Sequence, residues 1–247
     1  MTGAAEVRLW SVGLEVDPAL LAVCESLLDD MERGRGARFA FQRDRRRHAV
    51  SHAAARLLAA EALGLSPTAL CWSAGRFGRP RVSGYSLSVS LSRSHETALL
   101  ALSDNSRVGV DIEAQAHASP EPAWLAPHVD ATALALAARS GSTAGSAWFY
   151  EGWTRVEALA KARGVGIAQP APHRWDPWQP GLPLELEDDE GRQRRWHVTS
   201  LAVPPGSGED RTVYHAALAA DHPLGRPTPC RIALADLLAR RDHRGCA

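Results

Sequence analysis

The sequence predicts an α+β fold with two lobes. Each half of the 247-residue chain contains one long pattern typical of a helix, and in each half short strand-like runs follow that helix. The chain is 45% hydrophobic and 23% charged, which is typical of a globular protein rather than a disordered or collagen-like one. At this length either one large domain or two smaller ones can bury a core without disulfides. We therefore expect two halves with a cleft between them.

The first half contains a strand, a short helix, a long helix and then two short strands. Asp17 and Pro18 supply an N-cap and a first helical residue, and an Ala/Leu/Arg-rich stretch with apolar residues at helical spacing stops at Gly64. The predicted elements are a strand at 7–16, a helix at 18–28, a helix at 44–63, a turn at 75–80 and strands at 87–91 and 98–102.

The second half begins with a strand and contains the second long helix. The helix is closed by Gly164 and Gly166, whereas the stretch before it has weak patterning around a helix-like run at 131–139. The predicted elements are a strand at 107–113, a helix at 148–163 and strands at 182–186, 195–201 and 212–220.

Composition excludes several classes of protein. Twenty-eight basic residues balance 28 acidic ones, so the whole molecule is not drawn to nucleic acid or to an anionic membrane. The four cysteines form no CxxC pair, the first residues lack the pattern of a signal peptide, and no apolar run approaches the roughly 18 residues of a membrane span. We expect a soluble cytoplasmic protein without a disulfide scaffold.

Two acidic residues alternate with apolar ones in the first strand of the second half. Because side chains alternate between the faces of a strand, Val108, Val110 and Ile112 share the buried face. Asp111 and Glu113 then point to the other face, about 7 Å apart at the backbone. Such a pair near a cleft suits Mg²⁺, which binds one or two carboxylates together with substrate phosphates. The spacing also fits an exposed strand face with two solvated acids, and both interpretations stay open.

A second set of polar residues lies on the second long helix. Trp153, Glu157 and Lys161 are spaced four residues apart and therefore share one helix face. A surface ion pair between Glu157 and Lys161 is the simplest interpretation of that spacing. However, Lys161 is the single lysine beside 27 arginines. A retained ammonium favours a role that a guanidinium cannot fill, such as donating a proton or making a compact contact to phosphate.

The third feature is a basic cluster in a neutral protein. The stretch from Met31 to Arg56 contains eight arginines and only two acidic residues, Glu32 and Asp44, so its local charge is +6. Together with Arg79 and the hydroxyls near Ser92, this cluster suits a multiply phosphorylated ligand. A nucleic-acid site and a solvated basic face are the alternatives, although the cluster is not part of a recognisable nucleic-acid-reading motif.

The motifs together resemble the surfactin-type 4′-phosphopantetheinyl transferases. GVDIE at 109–113 and FYEGWTRVEALAKARGVGI at 149–167 resemble the two main blocks of that family. The pattern from Arg38-Phe39 to Arg47, the G(K/R)P turn at 78–80 and the strand at 89–94 agree with upstream family motifs. Val156, Arg93 and Val165 depart from the lysine, histidine and lysine that are usual at those positions.

The resemblance implies two pseudo-symmetric α/β lobes with the active site in the cleft between them. Residues 1–107 would form the N-terminal lobe, with the basic helix and the coenzyme A phosphates, and residues 108–247 the C-terminal lobe, with the metal-binding strand and the catalytic helix. Catalysis would rest on Glu157 and Lys161. Mg²⁺ would be bound by Asp111, Glu113 and Glu157. The residues expected to hold coenzyme A are Arg35, Arg47, His48, Arg79, Ser92, Arg93 and Lys161.

The implied reaction transfers 4′-phosphopantetheine from coenzyme A to a serine of an acyl or peptidyl carrier protein. It releases adenosine 3′,5′-bisphosphate and would serve polyketide or nonribosomal peptide assembly, and the enzyme would act as a monomer. A coenzyme A-binding protein without transfer activity, suggested by Val156, is one alternative. A nucleic-acid-binding module, suggested by the arginine cluster, is the other.

Overall fold

The computed structural model describes residues 6–115, 126–127, 130–131, 134–135, 147–166, 175–179, 182–203, 212–225 and 227–244, except for the side chains of residues 242–244. The helices in these ranges are α1 Pro18–Leu27, α2 Asp30–Ala37, α3 Gln42–Leu63, α4 Ala147–Arg163 and α5 Leu234–Arg244. The strands are β1 Arg8–Gly13, β2 Trp72–Ala74, β3 Pro80–Val82, β4 Ser88–Ser94, β5 Thr97–Ser103, β6 Val108–Ala114, β7 Leu184–Glu187, β8 Gln193–Ser200, β9 Tyr214–Ala220 and β10 Cys230–Ile232. None of the described helices combines the length and the apolar character that a transmembrane span needs.

Three helices begin and end close to where the sequence predicts. The Asp17 side chain accepts a hydrogen bond from the Leu20 amide and so caps the short helix α1. Helix α3 ends at Gly64, whose φ of 68° lies in the left-handed region, and α4 is followed by Gly164 with a φ of 77°. Most of the helix-like stretch predicted at 131–139 lies outside the described residues.

The strands form two sheets that pack face to face. The first has the order β10–β1–β5–β4–β3–β2 and the second the order β6–β9–β8–β7. One face of the first sheet packs against α1, α3 and α5, and its other face contributes Leu9, Leu99 and Ala101 to a core shared with β6 and β9. Helix α4 covers the far side of the second sheet. The predicted α+β class is confirmed.

The C-terminal segment of the described chain returns to the first sheet. Strand β10 pairs in parallel with β1, and Leu234 and Leu237 of α5 join the core formed by α3. Residues 230–244 therefore lie with the first sheet, although the sequence places all of 108–247 in the second lobe. This difference arises because β10 is only three residues long, too short to show a strand period.

A row of serines joins the two sheets. Ser88, Ser90 and Ser94 of β4 each accept a hydrogen bond from a backbone amide of β6, at distances of 3.0–3.1 Å. Their partners are the residues twenty positions further along the chain, namely Val108, Val110 and Ala114. The three amides lie on the edge of β6 that does not pair with β9. The serine hydroxyls provide their acceptors and so avoid the free-energy cost of buried, unpaired amides.

Helix α4 lies directly against β6 at Gly109. A Cβ added at Gly109 would lie 2.2 Å from the Ala158 carbonyl oxygen and 2.3 Å from the Ala162 amide nitrogen. Only a residue without a side chain permits this approach. The contact sets the distance between the polar face of β6 and the side chains of α4.

Candidate functional site

The acidic residues of β6 lie on the face predicted for them. Val108, Val110 and Ile112 are fully buried between the sheets, which confirms the predicted alternation. Asp111 lies on the opposite face and is only 2% exposed, whereas Glu113 is half-buried. The interpretation as two solvated surface acids is therefore wrong for Asp111.

Asp111 lies at the centre of a hydrogen-bonded cluster that joins β4, β6 and α4. Its Oδ1 accepts hydrogen bonds from Ser92 Oγ at 2.7 Å and from Lys161 Nζ at 2.6 Å. Lys161 Nζ also donates to Ser92 Oγ at 3.0 Å. Lys161 thus forms an ion pair with Asp111 of the neighbouring strand, rather than only lying one helical turn from Glu157. The sequence-predicted residues Ser92, Asp111 and Lys161 meet in one place.

The carboxyl groups of Glu113 and Glu157 interact electrostatically with Asp111 and Lys161. Glu113 accepts a hydrogen bond from Ser94 Oγ at 2.8 Å, and burial followed by the charge of Asp111 raises the pKa of Glu113 to about 7. Burial also raises the pKa of Glu157, with Asp111 acting in the same direction and Lys161 opposing it. Three carboxylates and one ammonium therefore share one electrostatic environment.

A divalent cation fits the donor set. Asp111 Oδ2 is buried and has no hydrogen-bond partner in the described part of the chain, and the available ligands are carboxylate oxygens, which Mg²⁺ prefers. Within the described ranges, however, no group of three or more His, Cys, Asp or Glu side chains is arranged to hold a metal ion. The assignment of Asp111, Glu113 and Glu157 as ligands stays a prediction.

Val156 of α4 is buried in an aromatic cluster. It is 4% exposed and packs with Phe149 and Tyr150 in an aromatic cluster that Trp153 and Trp178 also contact. The departure from the family pattern suggests that this valine removes a charged contact to pyrophosphate or to the carrier. In the structure the side chain has a packing role in the aromatic cluster.

Two grooves share lining residues, and the first of them is lined by Lys161. The first, of about 200 Å³, is lined by the turn at 77–80, by residues 89–91 of β4 and by Ala160 and Lys161 of α4. The second, of about 60 Å³, is lined by Arg35, His52 and Trp72 among others. Gly78, Pro80, Val89 and Leu91 line both grooves, which therefore adjoin at the turn before β3 and at β4.

Of the predicted phosphate-binding arginines, Arg35 and Arg79 line the grooves, whereas Arg47 and Arg93 do not. Arg35 is exposed at the second groove. Arg93 lies 5.3 Å from the centre of the Phe39 ring, and burial lowers the pKa of this arginine. Arg47 donates to Glu15 Oε1 at 2.9 Å. Their contacts with a ligand stay predictions.

His48 and Arg79 have partners within the protein. The His48 ring is 3% exposed, its Nε2 lies 2.9 Å from the Glu32 carbonyl oxygen, and burial lowers its pKa to about 4. The ring thus has a packing role between α2 and α3. Arg79 donates to the Ala162 carbonyl oxygen at 2.9 Å and to Ser88 Oγ at 2.5 Å. Coenzyme A contacts from either residue stay predictions.

Two features of the site were not predicted from the sequence. Ser94 binds Glu113, and Arg107 binds the end of α4. The alternation of serines at positions 88, 90, 92 and 94 is a visible signal for the first feature, because it places four hydroxyls on one face of a strand. No local signal identifies Arg107, whose partners are distant in sequence.

The site lies in a segment that matches a known family. Residues 107–219 match the model of the 4′-phosphopantetheinyl transferase superfamily. The segment runs from Arg107 through α4 into β9 and contains Asp111, Glu113, Glu157 and Lys161. No curated protein matches the chain significantly. The match over these 113 of the 247 residues agrees with the superfamily that the motifs predict. Phosphopantetheinyl transfer is the general chemistry that this match supports.

Proposed function

We propose that this protein transfers 4′-phosphopantetheine from coenzyme A to a serine hydroxyl of an acyl or peptidyl carrier protein. The observation that carries the proposal is the contact of Lys161 with Asp111 and Ser92, at the end of a groove and within the segment that matches the superfamily. A phosphoryl transfer of this kind needs positioned charges more than covalent chemistry from the protein. The site provides an ammonium and carboxylates beside a cavity.

Glu157 is the proposed general base. Its carboxyl has a raised pKa because of burial, so it holds a proton more readily than an exposed glutamate does. It would take the proton from the serine hydroxyl as that oxygen approaches phosphorus. Lys161, one helical turn further on, would stabilise or protonate the oxygen that leaves with adenosine 3′,5′-bisphosphate.

Asp111, Glu113 and Glu157 would hold Mg²⁺, which when bound neutralises charge on the pyrophosphate. Lys161 donates to one oxygen of Asp111, and among the described residues the other oxygen has no hydrogen-bond partner. Ser92 and Ser94 donate to Asp111 and Glu113, so these hydroxyls orient the two carboxylates.

Coenzyme A would lie along the two adjoining grooves. Arg35 lines one groove and Lys161 the other, so each groove offers a cation to the phosphates of the ligand. The residues proposed to contact it are Arg35, Arg47, His48, Arg79, Ser92, Arg93 and Lys161. We further propose a cytoplasmic monomer that serves polyketide or nonribosomal peptide assembly.

Intact-mass measurement of several apo carrier proteins tests the proposal. With coenzyme A and Mg²⁺ the wild-type protein is expected to increase the carrier mass by one phosphopantetheinyl group, whereas Glu157→Gln and Lys161→Ala are expected to lose this activity. Glu25→Gln is a matched control, because Glu25 is an exposed glutamate on α1. Absence of transfer to every carrier overturns the proposal. Coenzyme A binding would then indicate a non-catalytic binding protein, and salt-sensitive nucleic-acid binding that coenzyme A does not displace would indicate the third hypothesis.

A further inference from the structure

The C-terminal end of α4 is held by two arginines from different parts of the chain. Arg79, from the turn before β3, donates through Nη1 to the Ala162 carbonyl oxygen at 2.9 Å. Arg107, just before β6, donates through Nε to the same oxygen at 3.3 Å and through Nη2 to the Arg163 carbonyl oxygen at 3.1 Å. The last carbonyls of a helix have no partner within it and carry partial negative charge, so guanidinium donors stabilise them.

The guanidinium groups of Arg79 and Arg107 also bind residues other than the carbonyl oxygens of α4. Arg79 Nη2 donates to Ser88 Oγ at 2.5 Å, and Ser88 Oγ accepts the Val108 amide at 3.1 Å. Arg107 forms ion pairs with Asp188 and Asp189, whose side chains are 0% and 2% exposed. Burial, followed by the charge of Arg107, lowers the pKa of Arg79 to about 10. Two like charges so close together are costly unless the helix carbonyls and the aspartates offset them.

From these contacts we infer that Arg79 and Arg107 are positioning residues, which set Lys161 against Asp111 by clamping the end of α4 to β4 and β6. Lys161 immediately precedes Ala162, the residue whose carbonyl accepts from both arginines. Its ammonium contacts Asp111 at 2.6 Å, a distance that a small shift of the last helical turn would break. Arg79 thereby acts on the site through the helix, a role distinct from the direct coenzyme A contact proposed for it above.

The inference rests on the proposed transferase function only where activity is measured. Steady-state kinetics with varied coenzyme A separate the two roles of Arg79. A positioning role predicts that Arg79→Ala lowers kcat about 10–100-fold and changes the KM for coenzyme A less than about 3-fold, because a 1 Å misplacement is felt in the chemical step. Arg79→Lys recovers part of kcat, since one ammonium lacks the planar fork that reaches Ala162 and Ser88 together. A raised KM with unchanged kcat overturns the clamp and makes Arg79 a ligand of coenzyme A.

Hydrogen exchange tests the clamp independently of activity. The amides of Gly164 and Val165 donate to the Ala160 carbonyl oxygen at 2.9 and 3.2 Å and report on the end of α4. In Arg79→Ala and in Arg107→Gln they are expected to exchange at least about 10-fold faster than in the wild type. Unchanged exchange overturns the inference whether or not the protein transfers phosphopantetheine.

The control is Arg76→Ala in the same turn. Arg76 is exposed and lies 5.2 Å from the centre of the Phe77 ring, and its removal is expected to leave exchange at 164–165 and kcat unchanged. Equal effects of Arg76→Ala and Arg79→Ala would show that the turn responds as a whole and would also overturn the clamp. If Arg79→Ala does not fold, Arg79→Lys is expected to give the same exchange response with smaller amplitude.

Discussion

Replacement of Gly109 by alanine tests how the site is assembled. The added methyl carbon would lie 2.2 Å from the Ala158 carbonyl oxygen, whereas ordinary van der Waals contact begins near 3.4 Å. Because the opposing atoms belong to the helix backbone, no side chain can rotate away, and α4 must move back by about 1 Å. Overpacking of this kind costs about 1–3 kcal/mol of unfolding free energy. The same movement would lengthen the 2.6 Å contact between Lys161 and Asp111 beyond hydrogen-bonding distance.

Urea unfolding and phosphopantetheinyl transfer measure the two consequences of Gly109→Ala. We expect a lower midpoint of unfolding and, in the fraction that stays folded, about 100-fold lower kcat. Gly13→Ala is the matched control, because Gly13 ends another strand and an added Cβ there meets no atom within 4 Å. A Gly109→Ala protein with unchanged stability would refute the close packing. An unchanged kcat in a destabilised protein would refute the link between helix position and chemistry.

Three further predictions concern the core, the sheet junction and pH. Val156→Lys places an ammonium among aromatic side chains and is expected to lower the unfolding free energy by about 2–4 kcal/mol in urea titrations, whereas Val156→Ile is tolerated. Ser90→Ala leaves the buried Val110 amide without its acceptor and is expected to cost about 1–3 kcal/mol, measured in the same way. The pKa of His48, lowered to about 4 in the folded protein, predicts that stability contributed by this ring falls as pH falls from about 6.5 to 4. His48→Gln should flatten that part of the pH profile of unfolding, and an unaltered profile would contradict the assignment.

Local features of the sequence were sufficient to predict most of the helices and strands and to suggest the family. Helices α1, α3 and α4 have caps or closing glycines and apolar residues at helical spacing, and all three lie where these signals predict. The alternation in β6 assigned its buried face correctly, since period-2 patterns report which face meets the core. Helix α2 and strands β2, β3 and β10 were not predicted, because segments of three to eight residues show little periodicity. Helix α5 was also missed, although its apolar residues Leu234, Leu237 and Leu238 lie at helical spacing.

By itself the sequence determined the residue types of the site: two carboxylates on one strand face, and a glutamate and the single lysine on one helix face. These depend only on the periods of strands and helices. Only the tertiary structure decided that Lys161 pairs with Asp111, that alternate serines of β4 bind the edge of β6, and that Arg79 ends on the carbonyl oxygen of Ala162. Those contacts join residues 20 to 83 positions apart, and no local period encodes which of many possible partners lies near once the sheets and α4 have packed.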